Sequence, residues 1–204
     1  MKIICVGLNY PRHADEIGMT PSDAEPTIFL KPDTALLRNN DPFYIPDWAQ
    51  RFDFETELVF RISRLGRHIE ERFAHRYYDA VGLGIDFTAR DLQDKLVKEG
   101  RPWEICKGFD YSAAISQMIP LTDLPPVANL HFTLDINGER RQEATANQMI
   151  FPVDKIISYV SQFFSLRMGD LIFTGTPTGV GPVKEGDRLI GSLEGRTLLN
   201  FEIK

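Results

Sequence analysis

The segment FDFETELVFRI, residues 52–62, constrains the fold more than any other part of this chain. Phe54, Thr56, Leu58, Phe60 and Ile62 alternate with Asp53, Glu55, Glu57, Val59 and Arg61, the period of a strand with one face in a core. The apolar set marks the core face, so both glutamates project together from the opposite one. A chain that contains such a strand must supply partners for it, and further strand signals follow. IICVGL near the N-terminus and TIFLKP, stopped by Pro32, read as short buried strands. NLHFTLDINGERRQ is two strands around Asn137-Gly138, a strong hairpin signal. DLIFTGT and the stretches around Asp187–Gly191 and Thr197–Ile203 complete the set.

Helical signals are fewer. Asn9-Tyr10-Pro11 turns into a brief helix that Gly18 ends, and the proline-containing, polar residues 18–26 read as a mobile loop. Residues 67–79 and Leu92–Gly100 are expected to be helical. Ile156 to Leu166 carries apolar residues at 156, 157, 160, 163, 164 and 166, an amphipathic helix. The stretch from Asn39 to Trp48 reads as turns and edge structure. The expected class is β-dominated α+β, a few helices laid against antiparallel sheet. At 204 residues and 43% hydrophobic, the chain fits a single domain with no structural disulfide or metal needed.

Charge and cysteine content narrow the function. With 23 Lys+Arg against 29 Asp+Glu the net charge is −6, so no general attraction for nucleic acid or anionic lipid is expected. No stretch approaches the roughly 18 apolar residues of a membrane span. The apolar run in MKIICVGLNYPRH is about half the core of a signal peptide and lacks a cleavage site. Cys5 and Cys106 read as buried reduced thiols, and the expected location is cytoplasmic.

Several residues could carry chemistry. On an extended strand the Cα atoms of Glu55 and Glu57 sit roughly 6.6 Å apart. Two carboxylates at that range repel by about 2.5 kcal/mol at an effective dielectric near 20. Such a pair is either a solvated face or a hard-cation site. Asp86 lies in VGLGIDFTARD, a glycine-spaced apolar run where an unpaired buried acid would be costly. Arg90 follows, as a salt-bridged strand exit or a site residue, then Gln93 at the start of a helix. His13 and Glu16 are spaced i, i+3, the arrangement of a general base held by a carboxylate and equally of a surface pair. Lys107 in PWEICKGFD is an oxyanion partner or a lysine that snorkels to solvent, and Lys31 poses the same question. Thr174, Thr176 and the glycine-rich GTPTGVG offer a carboxylate cradle or a plain turn. His68, His75 and His131 share no spacing and read as surface or structural.

Together GLNYPRHADE, TIFLKP, FDFETEL, GIDFTARDLQ, RPWEICKGFD, INGERRQ and GDLIFTGTPTGVGPVKEGD resemble the fumarylacetoacetate hydrolase family, from about Val6 to the C-terminus. The resemblance implies a mixed β-roll with a few short helices, in one catalytic domain over residues 1–204 with a lid segment at about 11–26. It also implies Mg²⁺ or Mn²⁺ on Glu55, Glu57 and Asp86, and commonly a homodimer. His13 and Glu16 would be the catalytic pair, with Lys107 stabilising developing charge and Arg90, Gln93 and Thr176 contacting substrate. Longer members bring a further carboxylate from upstream of the histidine. Residues 1–12 contain no Asp or Glu, so the chain is similar to the short branch. That branch acts on small 2-oxo acids. The expected activity is metal-dependent C–C hydrolysis of acylpyruvates or related 2,4-dioxo acids. Oxaloacetate decarboxylation or tautomerisation, or isomerisation of a 2-hydroxy-dienoate, is the alternative, and a non-catalytic 2-oxo-acid binder is a third reading.

Overall fold

The computed structural model describes residues 1–11 and 25–204. In chain order its strands begin with β1 (Ile3–Val6), β2 (Ile28–Lys31), β3 (Leu36–Leu37), β4 (Phe52–Phe54), β5 (Thr56–Ile62), β6 (Tyr78–Asp86) and β7 (Thr88–Ala89). Then come β8 (Ala113–Ile115), β9 (Ile119–Pro120), β10 (His131–Ile136), β11 (Glu139–Thr145) and β12 (Leu171–Phe173). The chain closes with β13 (Gly181–Pro182), β14 (Arg188–Leu193) and β15 (Arg196–Glu202). The α-helices given for the described residues are α1 (Glu71–Ala74), α2 (Arg90–Lys98), α3 (Glu104–Lys107) and α4 (Val153–Phe163), beside short 3-10 turns.

The large sheet runs β2-β1-β12-β5-β6-β8-β3, with β9 also on β6; a second runs β11-β10-β14-β15 and a third β13-β4-β7. The β-dominated α+β class holds, with one correction. β1 pairs with β12, and β3 with β8, in parallel, because these neighbours are distant in sequence and joined by long crossovers. The hairpin forms where expected, with Asn137 and Gly138 at φ 54° and 84°, the signs of a type I′ turn.

The segment 52–62 is not one strand. β4 pairs with β7 and β13 whereas β5 pairs with β6 and β12, so the chain changes sheets at Glu55. Its second face is not solvated either. Val59 is fully buried in a smaller apolar cluster with Ile3, Cys5, Leu171 and Phe173, while Leu58, Phe60 and Ile62 join the main core. Each Val, Leu, Ile or Phe side chain so removed from water contributes about 1.5–3 kcal/mol. Residues 67–79 give only the single-turn α1. His68 at φ 51° stands in the left-handed region that helix excludes, and Tyr78 is already paired with Ile62 in the sheet. α2 matches expectation to within two residues. Asp91 stands in its first turn, Lys95 and Lys98 in its last, and Gly100 follows at φ 62°. α4 starts earlier than its apolar pattern suggested, directly after Pro152, and buries Ile156, Ile157 and Val160. The helix expected after Pro11 and most of the loop expected at 18–26 lie outside the described residues.

Candidate active site

Three carboxylates converge where the sheets meet. Glu55 occupies the break between β4 and β5, Glu57 lies on β5, and Asp86 ends the neighbouring β6. The Asp86 N–H donates to the Glu55 carbonyl at 2.8 Å, which ties the strand end to the break. Glu57 faces Gly84 across the ladder. A side chain at Gly84 would meet Phe173 at 2.4 Å, so glycine is what lets β6 lie this close. One oxygen from each of Glu55, Glu57 and Asp86 lies within 4.8 Å of the others, and all three residues are buried. At that separation two charged carboxylates repel by about 3.5 kcal/mol at an effective dielectric of 20. Burial first, then Asp86 and Glu55, push the Glu57 carboxyl well above the usual range, against one N–H bond from Gly175 at 2.7 Å.

Buried cations answer this charge. Lys107 Nζ touches Glu55 Oε2 and Asp86 Oδ2, both at 2.8 Å, and Thr88 Oγ1 at 2.6 Å. Burial opposes its charge, but Asp86 and Glu55 outweigh that and raise the ammonium above its ordinary value. Lys31 Nζ pairs with Asp86 Oδ1 at 2.7 Å and donates to Ser112 Oγ at 2.9 Å and to the backbone carbonyls of Ser112 and Lys107. Arg90 spans three partners, Asp53 Oδ2 at 2.9 Å, Glu55 Oε1 at 2.5 Å and Gln93 Oε1 at 2.5 Å. Burial opposes that charge too, and Glu55 and Asp53 outweigh it.

A cavity of about 600 Å³ opens on this cluster, with Glu55, Arg90, Gln93 and Lys107 on its wall beside Gly7 and Trp103. Glu57, Asp86 and Thr176 are 1%, 1% and 2% exposed and reinforce the wall from within the fold. The geometry thus brings together seven of the nine residues to which the family resemblance gives a role. The other two, His13 and Glu16, lie outside the described residues. Three contributors carry more than their sequence context suggested. Asp53 anchors both Arg51 and Arg90, and its place in the alternation with Glu55 and Glu57 was the available signal. Lys31 is wholly buried against Asp86. Gln142 reaches in from the second sheet, and nothing local to its strand announces that. Cys5 and Cys106 are free and buried, while His68 and His75 are exposed and His131 meets Glu143 at 2.9 Å.

The donor set suits a hard divalent cation. All three ligands are carboxylate oxygens, as Mg²⁺ and Mn²⁺ prefer. Asp86 Oδ1, although ion-paired, accepts no aligned hydrogen bond and keeps lone-pair capacity. Fixed cations and carboxylates at one cavity wall can together bind an anionic substrate and stabilise negative charge that develops on it.

The family described as fumarylacetoacetate (FAA) hydrolase C-terminal matches residues 2–202. The mitochondrial oxaloacetate tautomerase of Bos taurus is 39% identical over 202 residues, 99% of this chain and 91% of that protein. The oxaloacetate tautomerase of Escherichia coli K12 is 38% identical, over 97% of this chain and 90% of its own length. The crystal structure of fumarylpyruvate hydrolase from Pseudomonas aeruginosa with Mn²⁺ and pyruvate superimposes with a TM-score of 0.94 at 37% identity, covering 100% of this chain and 89% of the other. Among the described residues no helix is long and apolar enough to cross a membrane.

Proposed function

This chain belongs to the fumarylacetoacetate hydrolase family, and on that footing we propose that it is a divalent-metal-dependent enzyme interconverting the keto and enol forms of oxaloacetate. The observation that carries this reading is near-full-length similarity to oxaloacetate tautomerases from both a mammal and a bacterium. It favours tautomerisation over the C–C hydrolysis that the sequence alone put first.

Glu55, Glu57 and Asp86 would hold Mg²⁺ or Mn²⁺, which when bound supplies Lewis-acid polarisation of a 2-oxo group. Lys107 Nζ, fixed by Glu55, Asp86 and Thr88, sets a permanent positive charge beside the oxygen on which enolate charge collects. Arg90 and Gln93 form the cavity wall that receives the substrate carboxylate. The proton carrier in this reading is His13, with Glu16 as its catalytic partner. The His13 imidazole takes the proton from C3 of the keto form and returns it to the C2 oxygen, so one C–H bond is exchanged for one O–H bond. The domain is residues 1–204, working as a homodimer.

Hydrolysis of an acylpyruvate is the second reading, favoured by the similarity to fumarylpyruvate hydrolase. There water attacks the distal carbonyl, the C3–C4 bond breaks to release the carboxylic acid, and the enolate of pyruvate that remains carries its charge on the same C2 oxygen. Ultraviolet progress curves on metal-stripped protein restored with Mn²⁺ separate the two. The tautomerase reading expects metal-dependent loss of enol absorbance from oxaloacetate without carbon dioxide. Release of pyruvate and acetate from acetylpyruvate, with oxaloacetate untouched, would move the assignment to hydrolase.

A further inference from the structure

Gln142 lies on β11 in the second sheet, yet its side chain grips the peptide that joins two of the clustered acids. Its Oε1 accepts the backbone N–H of Thr56 at 3.0 Å. Its Nε2 donates one proton to Thr176 Oγ1 and the other to the Pro177 carbonyl, each at 2.8 Å. Thr176 passes its single hydroxyl proton to the Thr56 carbonyl at 2.9 Å. The residue between Glu55 and Glu57 therefore has its N–H and its C=O both held by side chains. Gln142 and Thr176 are 1% and 2% exposed, so bulk water does not compete for these bonds.

A clamp is needed at this point. The chain leaves one sheet at β4 and enters another at β5; at the junction the Glu55 carbonyl accepts the Asp86 N–H, while the N–H and C=O of Thr56 turn to side chains. The backbone angles of Thr56 set where the Glu55 carboxylate points relative to Glu57. Like-charge repulsion between the two acids favours splaying them apart, whereas a shared cation needs both oxygens held to about 0.5 Å. Arg90 and Lys107 already hold the Glu55 carboxylate, and a slack peptide here would let their pull draw it away from Glu57.

We propose that Gln142 is a positioning residue for the metal site: together with Thr176 it fixes the Thr56 peptide so that Glu55 and Glu57 face one cation. The inference rests on the metal reading given above. Both amide protons of Gln142 are committed, so it acts through the backbone and does not touch metal or substrate.

The test is Mn²⁺ affinity, read from the electron paramagnetic resonance of free ion, on metal-stripped protein whose folding is checked by thermal melting. Gln142→Leu keeps the bulk and removes the bonds, and should weaken Mn²⁺ binding by roughly 10–100-fold, the effect typical of partners that orient metal ligands. Thr176→Val should shift it in the same direction by a smaller factor, and decides the matter if the leucine variant does not fold. Val160→Ala, a truncation in the buried face of α4, serves as control for general loosening. It should lower the melting temperature with Mn²⁺ affinity unchanged. Parent-like Mn²⁺ affinity in folded Gln142→Leu or Thr176→Val overturns the proposal, and so does an equal loss in Val160→Ala. A parent chain that takes up no Mn²⁺ overturns the metal reading itself, and the clamp's role toward it falls with that reading.

Discussion

Lys31→Met tests whether the acid cluster is tolerated in the metal-free fold because buried cations neutralise it. The Lys31 side chain has no solvent exposure, and its ammonium meets Asp86 Oδ1 at 2.7 Å. At an effective dielectric near 20 that contact is worth about 6 kcal/mol of attraction, from which the desolvation of both groups must be subtracted. Methionine preserves the stem but leaves Asp86 with Lys107 as its neutralising partner, and strips a donor from Ser112 and from the Lys107 carbonyl. Removing one side of a buried pair costs about 3–5 kcal/mol. For a chain of this length that is a fall of about 6–20 °C in Tm. Urea melts in the presence of a chelator keep metal out of the comparison. A cycle with Asp86→Asn isolates the pair: the double variant should lose at least about 2 kcal/mol less than the two single losses combined. Additivity to within about 0.5 kcal/mol would show that Lys31 and Asp86 are not energetically coupled, and the neutralisation argument would fail.

Glu57→Gln removes the acid that burial and its neighbours disfavour most, so the metal-free chain should melt no earlier than the parent. The same variant should lose Mn²⁺ affinity and turnover by at least the roughly 10–100-fold seen when mere ligand-orienting groups are changed. Full activity with unchanged metal content would remove Glu57 from the ligand set. Burial, partly countered by Lys107, pushes the Cys106 thiol from 9.0 up to about 11, and burial raises Cys5 as well. Neither thiol should react with Ellman's reagent at pH 8 until urea is added, when both should react. The folded chain keeps these protons where the unfolded chain loses them, so stability should fall as pH rises from about 9 to 11. Rapid native labelling, or stability that climbs across that window, would contradict the burial.

The carboxylates were legible because period-two alternation is local: Glu55 and Glu57 fall on one face whichever sheet the strand joins. Asp86 was legible through its cost, as an acid ending an apolar, glycine-spaced run. The break at Glu55 was not. Nothing between Phe54 and Thr56 marks it, because the change of sheet is decided by which strands pair on either side, β7 and β13 before it and β6 and β12 after it. Val59 was misplaced for a related reason. Alternation reports one apolar face, and only tertiary packing against Ile3, Cys5 and Phe173 makes the other face apolar too. The helix expected over 67–79 failed because its spacing of apolar residues also suits a short turn leading into a strand, and pairing of Tyr78 with Ile62 decided between them. Gln142 was beyond reach, since its partners lie 86, 34 and 35 residues away along the chain.

The balance of charge ties the fold to the proposed chemistry. Asp53, Glu55, Glu57 and Asp86 are four buried acids; Lys31, Lys107, Arg90 and the half-exposed Arg51 pair with Asp53, Glu55 and Asp86, while the Glu57 carboxylate accepts the N–H of Gly175. With all eight ionised, as a bound divalent cation would require of the Glu57 carboxyl that the metal-free fold holds well above the usual range, the side chains of the cluster sum to zero charge. A divalent cation would leave it with two positive charges in a cavity of low dielectric. An anion that brings two carboxylates, as oxaloacetate does, restores neutrality, whereas a monoanionic acylpyruvate leaves one charge uncompensated. At 4 Å and an effective dielectric near 20 each such charge contact is worth about 4 kcal/mol before desolvation is subtracted. Net charge can therefore discriminate dianionic from monoanionic 2-oxo acids, whereas a dianionic acylpyruvate such as fumarylpyruvate would meet the same charge as oxaloacetate and leave shape to decide.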